Sequence, residues 1–223
     1  MATLLLCLKG PLQSWGTTSR FDERDTQLEP SKSGVLGLAC AALGRDRREP
    51  VDDLAALRMG VRVEQEGVPM RDYQTATGVV IAASGKADLG RTVVSPRFFL
   101  ADAAFLVGLE GDRALLARIH AALARPVWPL ALGRKSFVPS LPVYLPDGLR
   151  DEPLEQALAT WPCLLTGQVP ETPRRVLLEH PSEGSVRLDQ PVAPFAERRF
   201  GPRFVKPDLY FTGAAHVPDP SAA

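Results

Sequence analysis

Met1-Ala-Thr-Leu-Leu-Leu-Cys-Leu-Lys9 opens the chain. Within it Thr3–Leu8 is apolar at successive positions instead of alternating, the pattern of a central strand covered on both faces. The run is too short for a secretory hydrophobic region and no basic residue precedes it. Nowhere does the sequence approach the roughly 18 apolar residues that a membrane span needs. A cytoplasmic protein with no membrane partner is expected. Outward from this strand, Gly10–Pro30 is polar, with Trp15 and Phe21 as its large anchors. Ser31 is placed to cap a helix over Lys32–Leu43, and Gly44 to end it in the left-handed conformation.

Further along, Val51–Arg58 reads as a short helix and Met59–Glu66 as a strand. In that strand Val61 and Val63 alternate with Arg62 and Glu64, so one face is expected to meet solvent. Gly67 turns the chain into Val68–Gln74. From Thr75 to Pro96 regular patterning is lost, and Gly78, Gly85 and Gly90 stand among Lys86 and Arg91, which suggests a protruding hairpin or loop. Ala103–Leu109 is another apolar strand. Asp112 caps an amphipathic helix over Arg113–Ala124, whose apolar face is Leu115, Leu116, Ile119 and Leu123. The order strand, helix, strand, strand, helix, strand predicts an α+β, ferredoxin-like sandwich. It would occupy residues 1–147, with an insertion at about 75–96. A helix over Leu154–Trp161 and strands at Arg175–Glu179, Ser185–Leu188 and Arg203–Phe211 predict a small β-rich unit over 148–216. Residues 217–223 read as a disordered tail.

Among the 223 residues, 26 basic and 26 acidic side chains give a formal charge of zero, so bulk charge announces no polyanionic partner. The region Arg174–Lys206 holds a local excess of basic residues, and the basic set is mostly arginine, whose planar fork suits phosphates and base edges. Cys7, Cys40 and Cys163 form no CxxC pair and have no nearby histidine. They read as small hydrophobes in a reducing compartment, with neither metal nor cofactor expected.

Five segments carry a family resemblance: Leu4–Gly16 (LLLCLKGPLQSWG), Ser31–Gly44 (SKSGVLGLACAALG), Met70–Thr75 (MRDYQT), Phe99–Val107 (FLADAAFLV) and Leu132–Phe137 (LGRKSF). Their order and spacing, from Ala2 to Val205, resemble the Cas-five family of CRISPR-associated proteins, in particular its type I-E branch. The resemblance implies a fold of the repeat-associated (RAMP) superfamily, RRM-like, with a thumb hairpin. It implies a subunit of the Cascade surveillance complex that holds the 5′ handle of the CRISPR RNA in antiviral defence. Its partners would be that RNA, the CasC backbone subunit, the large subunit CasA and the target DNA held by the complex. Relatives in type I-C systems cleave precursor CRISPR RNA, so a metal-independent endoribonuclease is the alternative.

Metal-free cleavage needs a base for the 2′-hydroxyl and an acid for the leaving oxygen. The histidines are His120, His180 and His216, none paired in sequence with a lysine or tyrosine, and Tyr73 alone makes no acid–base pair. The expectation is therefore a binding protein without catalytic residues. Four groups of residues are candidates for RNA contact. Lys9, Gln13, Ser14 and Trp15 belong to a glycine-bounded loop, where Trp15 is either a stacking platform or core. Lys32, Ser33 and Gly34 open a helix, whose free N–H groups favour a phosphate. Gly133, Arg134, Lys135, Ser136 and Phe137 set charge beside an aromatic in a turn that lacks the P-loop pattern. Arg71, Tyr73, Arg91 and Arg97 stand on or beside the thumb.

Overall fold

The computed structural model describes residues 1–18, 23–80, 85–165 and 174–211. Its elements in chain order are β1 (Ala2–Lys9), β2 (Leu12–Gln13), α1 (Lys32–Leu43), α2 (Asp52–Ala55), β3 (Arg58–Gln65), β4 (Val68–Val80), β5 (Ala87–Ala101), β6 (Ala104–Gly111), α3 (Arg113–Ala124), β7 (Tyr144–Arg150), α4 (Leu154–Thr160), β8 (Arg174–His180), β9 (Ser185–Pro191) and β10 (Phe200–Phe211). Both long helices end as the sequence predicts. Gly44 adopts φ 71°, and Asp112 accepts a bond from the Leu115 N–H at 2.8 Å.

Four strands in the order β7-β1-β6-β3, antiparallel throughout, carry α1 and α3 on one face. This is the strand order of the ferredoxin-like βαββαβ unit, and the protein has that α+β fold. β1 explains why its sequence does not alternate. Leu4, Leu6 and Leu8 pack beneath α1 and α3, whereas Leu5 joins Leu106 and α4 on the opposite face. Both faces are dry. α4 lies so close to the sheet that a Cβ on Gly108 would stand 2.5 Å from Leu154 Cδ1.

The cover supplied by α4 corrects the expectation for β3. Arg62 and Glu64 lie on the α4 face and are buried, not solvated. The Arg62 guanidinium donates to the carbonyl oxygens of Leu158, Trp161 (2.8 Å) and Pro162 (2.9 Å), at the negative end of α4. Glu64 stands between Arg62 and Arg174, the latter pair at 2.8 Å. The polar residues mark a buried charge chain that caps a helix, and such groups persist in an interior only when paired.

The strands after residue 174 continue the same sheet. β8 pairs with β3, β10 with β8, and β9 forms the edge, so the whole sheet reads β7-β1-β6-β3-β8-β10-β9. The boundary expected at 147/148 falls within β7. The thumb is a hairpin of β4 and β5, longer than the 75–96 expected, and β2 pairs with β5 at its base. The tail expected at 217–223, and His216, lie outside the described residues. Among the described residues no helix is long and apolar enough to cross a membrane.

Candidate nucleic-acid interface

Two of the loops singled out in the sequence pack directly on one another. Ser14 N donates to Leu132 O at 3.0 Å, and Ser140 N to Lys9 O at 2.9 Å. Between them, Leu132–Phe137 closes on itself through Leu132 N to Phe137 O (2.8 Å) and Phe137 N to Arg134 O (2.8 Å). Gly133 makes this possible. It holds φ 93°, and a Cβ there would fall 1.8 Å from Ser14 O, which excludes every other residue.

The turn delivers Arg134 to the base of the thumb. Its Nη2 donates to Phe98 O at 2.7 Å, the same carbonyl that accepts from Ser14 Oγ at 3.2 Å. The guanidinium lies 5.2 Å from the Phe137 ring centroid, and Phe137 meets Phe99 edge-on at 5.9 Å. Arg97 is the neighbour of Phe98 on β5. A segment that the sequence did not flag joins here, since Arg24 bridges Arg97, with Arg24 N to Pro96 O at 3.0 Å and Phe98 N to Arg24 O at 2.8 Å. Arg71, opposite Phe98 in the β4–β5 register, sits 5.8 Å from the Tyr73 ring and 5.9 Å from that of Phe98. Burial, and then the adjacent Arg97, pull the Arg134 guanidinium below its ordinary value, while Asp72 acts in the opposite sense. Arg24, Arg71, Arg97 and Arg134 thus concentrate positive charge where three chain segments meet. An arriving anion would relieve that repulsion.

The sequence profile of the family described as CRISPR-associated protein (Cas_Cas5) matches residues 3–206, nearly the whole chain. The chain belongs to that family. One curated relative of this Cas5-family chain is CRISPR system Cascade subunit CasD of Escherichia coli (strain K12), 29% identical over 156 residues, or 64% of this chain and 69% of that one. Among solved structures, the crystal structure of a Cas protein is 54% identical, with a TM-score of 0.78 over 94% of this chain and 95% of that chain. A chain of a CRISPR RNA-guided surveillance complex is 34% identical, with a TM-score of 0.75 over 93% and 90%.

Several residues expected to touch RNA turn out to be internal. Trp15 is 1% exposed and offers no ring face to a base; it lies against Gly34, where a Cβ would stand 2.9 Å from the indole. Gln13 is buried beside it, donating to Leu8 O and Ala103 O and accepting from Trp15 Nε1. Phe137 is buried too.

The phosphate expected at the start of α1 is displaced by the protein's own carboxylate. Asp189 of β9 accepts from Lys32 N at 2.7 Å and is clamped by Arg203 at 2.6 and 2.9 Å. The Lys32 ammonium is buried and paired with Glu179 at 2.9 Å. Ser31 makes no side-chain cap bond, because Asp189 serves that end of the helix. Gly34 is needed for the approach of Trp15, and Ser33 beside it is half-buried.

Most of the basic excess of Arg174–Lys206 is matched by carboxylates. Arg174 pairs with Glu64, Arg175 with Glu29 and Glu66, Arg187 with Glu29, Arg203 with Asp189, and Lys206 with Glu183. The candidates left at the surface are Arg71, Tyr73, Arg91, Lys135 and Ser136, with Lys9, Arg97 and Arg134 half-buried. His120 Nε2 contacts Leu145 O at 2.9 Å with its ring on Tyr144, and His180 Nδ1 accepts the N–H groups of Ser182 and Glu183.

Proposed function

We propose that this chain is a subunit of a type I-E CRISPR surveillance complex, and that it holds the 5′ handle of the CRISPR RNA without cleaving it. The observation that carries the binding role is the meeting of the Gly133–Phe137 turn with Ser14 and the thumb base, which gathers four arginines. Arg134 and Lys135 supply phosphate contacts there, Ser136 a hydroxyl group, and Arg71, Arg97 and Lys9 flanking charge, while the buried Ser14 holds the loop in place through Phe98 O. Tyr73 is exposed and stacks on a splayed base, with Arg91 further along the thumb. In this reading the chain docks to CasC and CasA, with target DNA held by the assembled complex in the cytoplasm, a reading supported by the likeness to a Cascade subunit and to a chain of a surveillance complex.

A non-catalytic role is supported by the histidines. The nitrogens of His120 and His180 that bond do so to backbone groups, and neither residue touches Arg134 or Tyr73 in the described contacts. The test is incubation of the purified protein with labelled repeat RNA in EDTA, alongside titration with labelled handle RNA. Tight binding with intact RNA is expected. Site-specific cleavage that disappears in Tyr73→Phe or His120→Ala would establish the endoribonuclease instead.

A further inference from the structure

Exposed arginines also gather at the far end of α1. This helix has 12 residues and is therefore about 18 Å long. Its first turn lies by Trp15, on the side of the Arg134 cluster. Two loops meet beyond its last turn. Arg47 O accepts from Ala196 N at 2.8 Å, and Arg47 Nη2 donates to Phe195 O at 3.2 Å, joining the segment after α1 to the β9–β10 connection. Arg48, Arg198 and Arg199 stand beside this junction, all exposed. Arg198 holds φ 53°, a left-handed backbone uncommon for a non-glycine residue.

The segment after α3 packs on the same end of α1, against its last turn and Gly44. Val127 N donates to Ala42 O at 3.0 Å and Trp128 N to Ala41 O at 3.1 Å, so carbonyls in the last turn of α1 hold it in place. Pro126 and Pro129 stiffen it on both sides. The indole of Trp128 is 44% exposed on this rigid bracket, and Arg125 is exposed next to it. Arg48 is matched by Asp46 and Arg199 by Glu197. Arg47, Arg125 and Arg198 have no carboxylate partner among the described residues.

We propose that this surface is a second binding site for single-stranded nucleic acid, with Arg47, Arg125 and Arg198 on phosphates and Trp128 stacking on a base. Three cations without counter-charges beside a preorganised aromatic face fit a polyanion with flat bases. A protein partner would have to present a carboxylate to each.

The test uses the full chain carrying Arg134→Ala and Lys135→Ala, which weakens the thumb-base site, and each outcome is read as a change from that starting variant, so it does not depend on the handle-binding reading. Fluorescence anisotropy with a labelled oligo(dT) of about 15 nucleotides reads the remaining binding. Its affinity is expected to fall about 20-fold between 50 and 200 mM salt, from three phosphate contacts on a single strand. Adding Arg47→Ala, Arg125→Ala and Arg198→Ala should abolish that salt-sensitive binding. Trp128→Ala should weaken it at least 5-fold at every salt concentration. All four side chains are exposed, and circular dichroism checks that each variant is folded. No oligonucleotide binding in the starting variant, or binding unchanged by the three substitutions, overturns the proposal. If the three substitutions leave oligonucleotide binding intact but block assembly with partner subunits, the surface recognises an acidic protein and the proposal is equally overturned.

Discussion

Replacing Asp189 by asparagine tests whether the carboxylate, and not an external phosphate, is what the start of α1 requires. Asp189 is 2% exposed and accepts from Lys32 N at 2.7 Å and from Arg203 at 2.6 and 2.9 Å. Asparagine keeps the shape, removes the charge and presents an amide N–H to a donor. Arg203 is then buried with only Glu179, 4.0 Å away, as counter-charge, and Glu179 is already committed to Lys32. Removing one partner of a buried ion pair costs about 3–5 kcal/mol, a large share of the 5–15 kcal/mol by which a domain is stable. With a urea m-value of about 3 kcal/mol/M, the unfolding midpoint should fall by about 1–1.7 M. The same substitution in an Arg203→Met background should cost far less, because no charge is left uncompensated. RNA affinity, measured under conditions where the variant is folded, should be unchanged. A midpoint shift below about 0.3 M, or a loss of RNA affinity without loss of stability, would refute the carboxylate's role.

Gly133→Ala should weaken handle binding by about tenfold or more, because the turn must move away from Ser14 O and carry Arg134 with it; wild-type affinity in a titration would show that the turn is not required. Trp15→Ala should lower stability by about 3–5 kcal/mol in urea unfolding, as expected for a buried indole and not for an exposed stacking platform. Arg134→Ala with Lys135→Ala should weaken RNA retention and reduce the slope of log K against log salt by about 1.4, at roughly 0.7 per phosphate lost; an unchanged slope would remove the pair from the interface. Burial pushes the Cys7 and Cys40 thiols up to about 11 from 9.0. The folded state therefore keeps these protons while the unfolded state releases them, so stability should decline as pH rises above 9, by about 2–3 kcal/mol per thiol by pH 11. A Cys7→Ala, Cys40→Ala protein should show a flatter dependence in urea midpoints.

Much of the fold was legible in the chain because the governing interactions are local or periodic. The unbroken apolar run of β1 announced a strand with two dry faces, and the caps at Gly44 and Asp112 bounded α1 and α3. The alternation in β3 misled, since polar residues at period two normally face water, and nothing within Met59–Glu66 reports that α4, far along the sequence, will cover them. The same holds for the candidate site. Gly133 and Arg134 were recognisable from their own loop, but the contribution of Arg24 comes from a backbone bridge to Arg97 that no sequence period encodes.

Residue type and spacing along the chain were enough for the family, the order of strands and helices, and the loops where charge and glycine coincide. Which cations remain available depends instead on long-range contacts. Arg203 and Lys32 are consumed by Asp189 and Glu179, and Trp15 is buried against Gly34, whereas Arg134 reaches the thumb base. Charge pairing and burial are set by which segments meet in space, and the partners of Lys32 lie more than a hundred residues away.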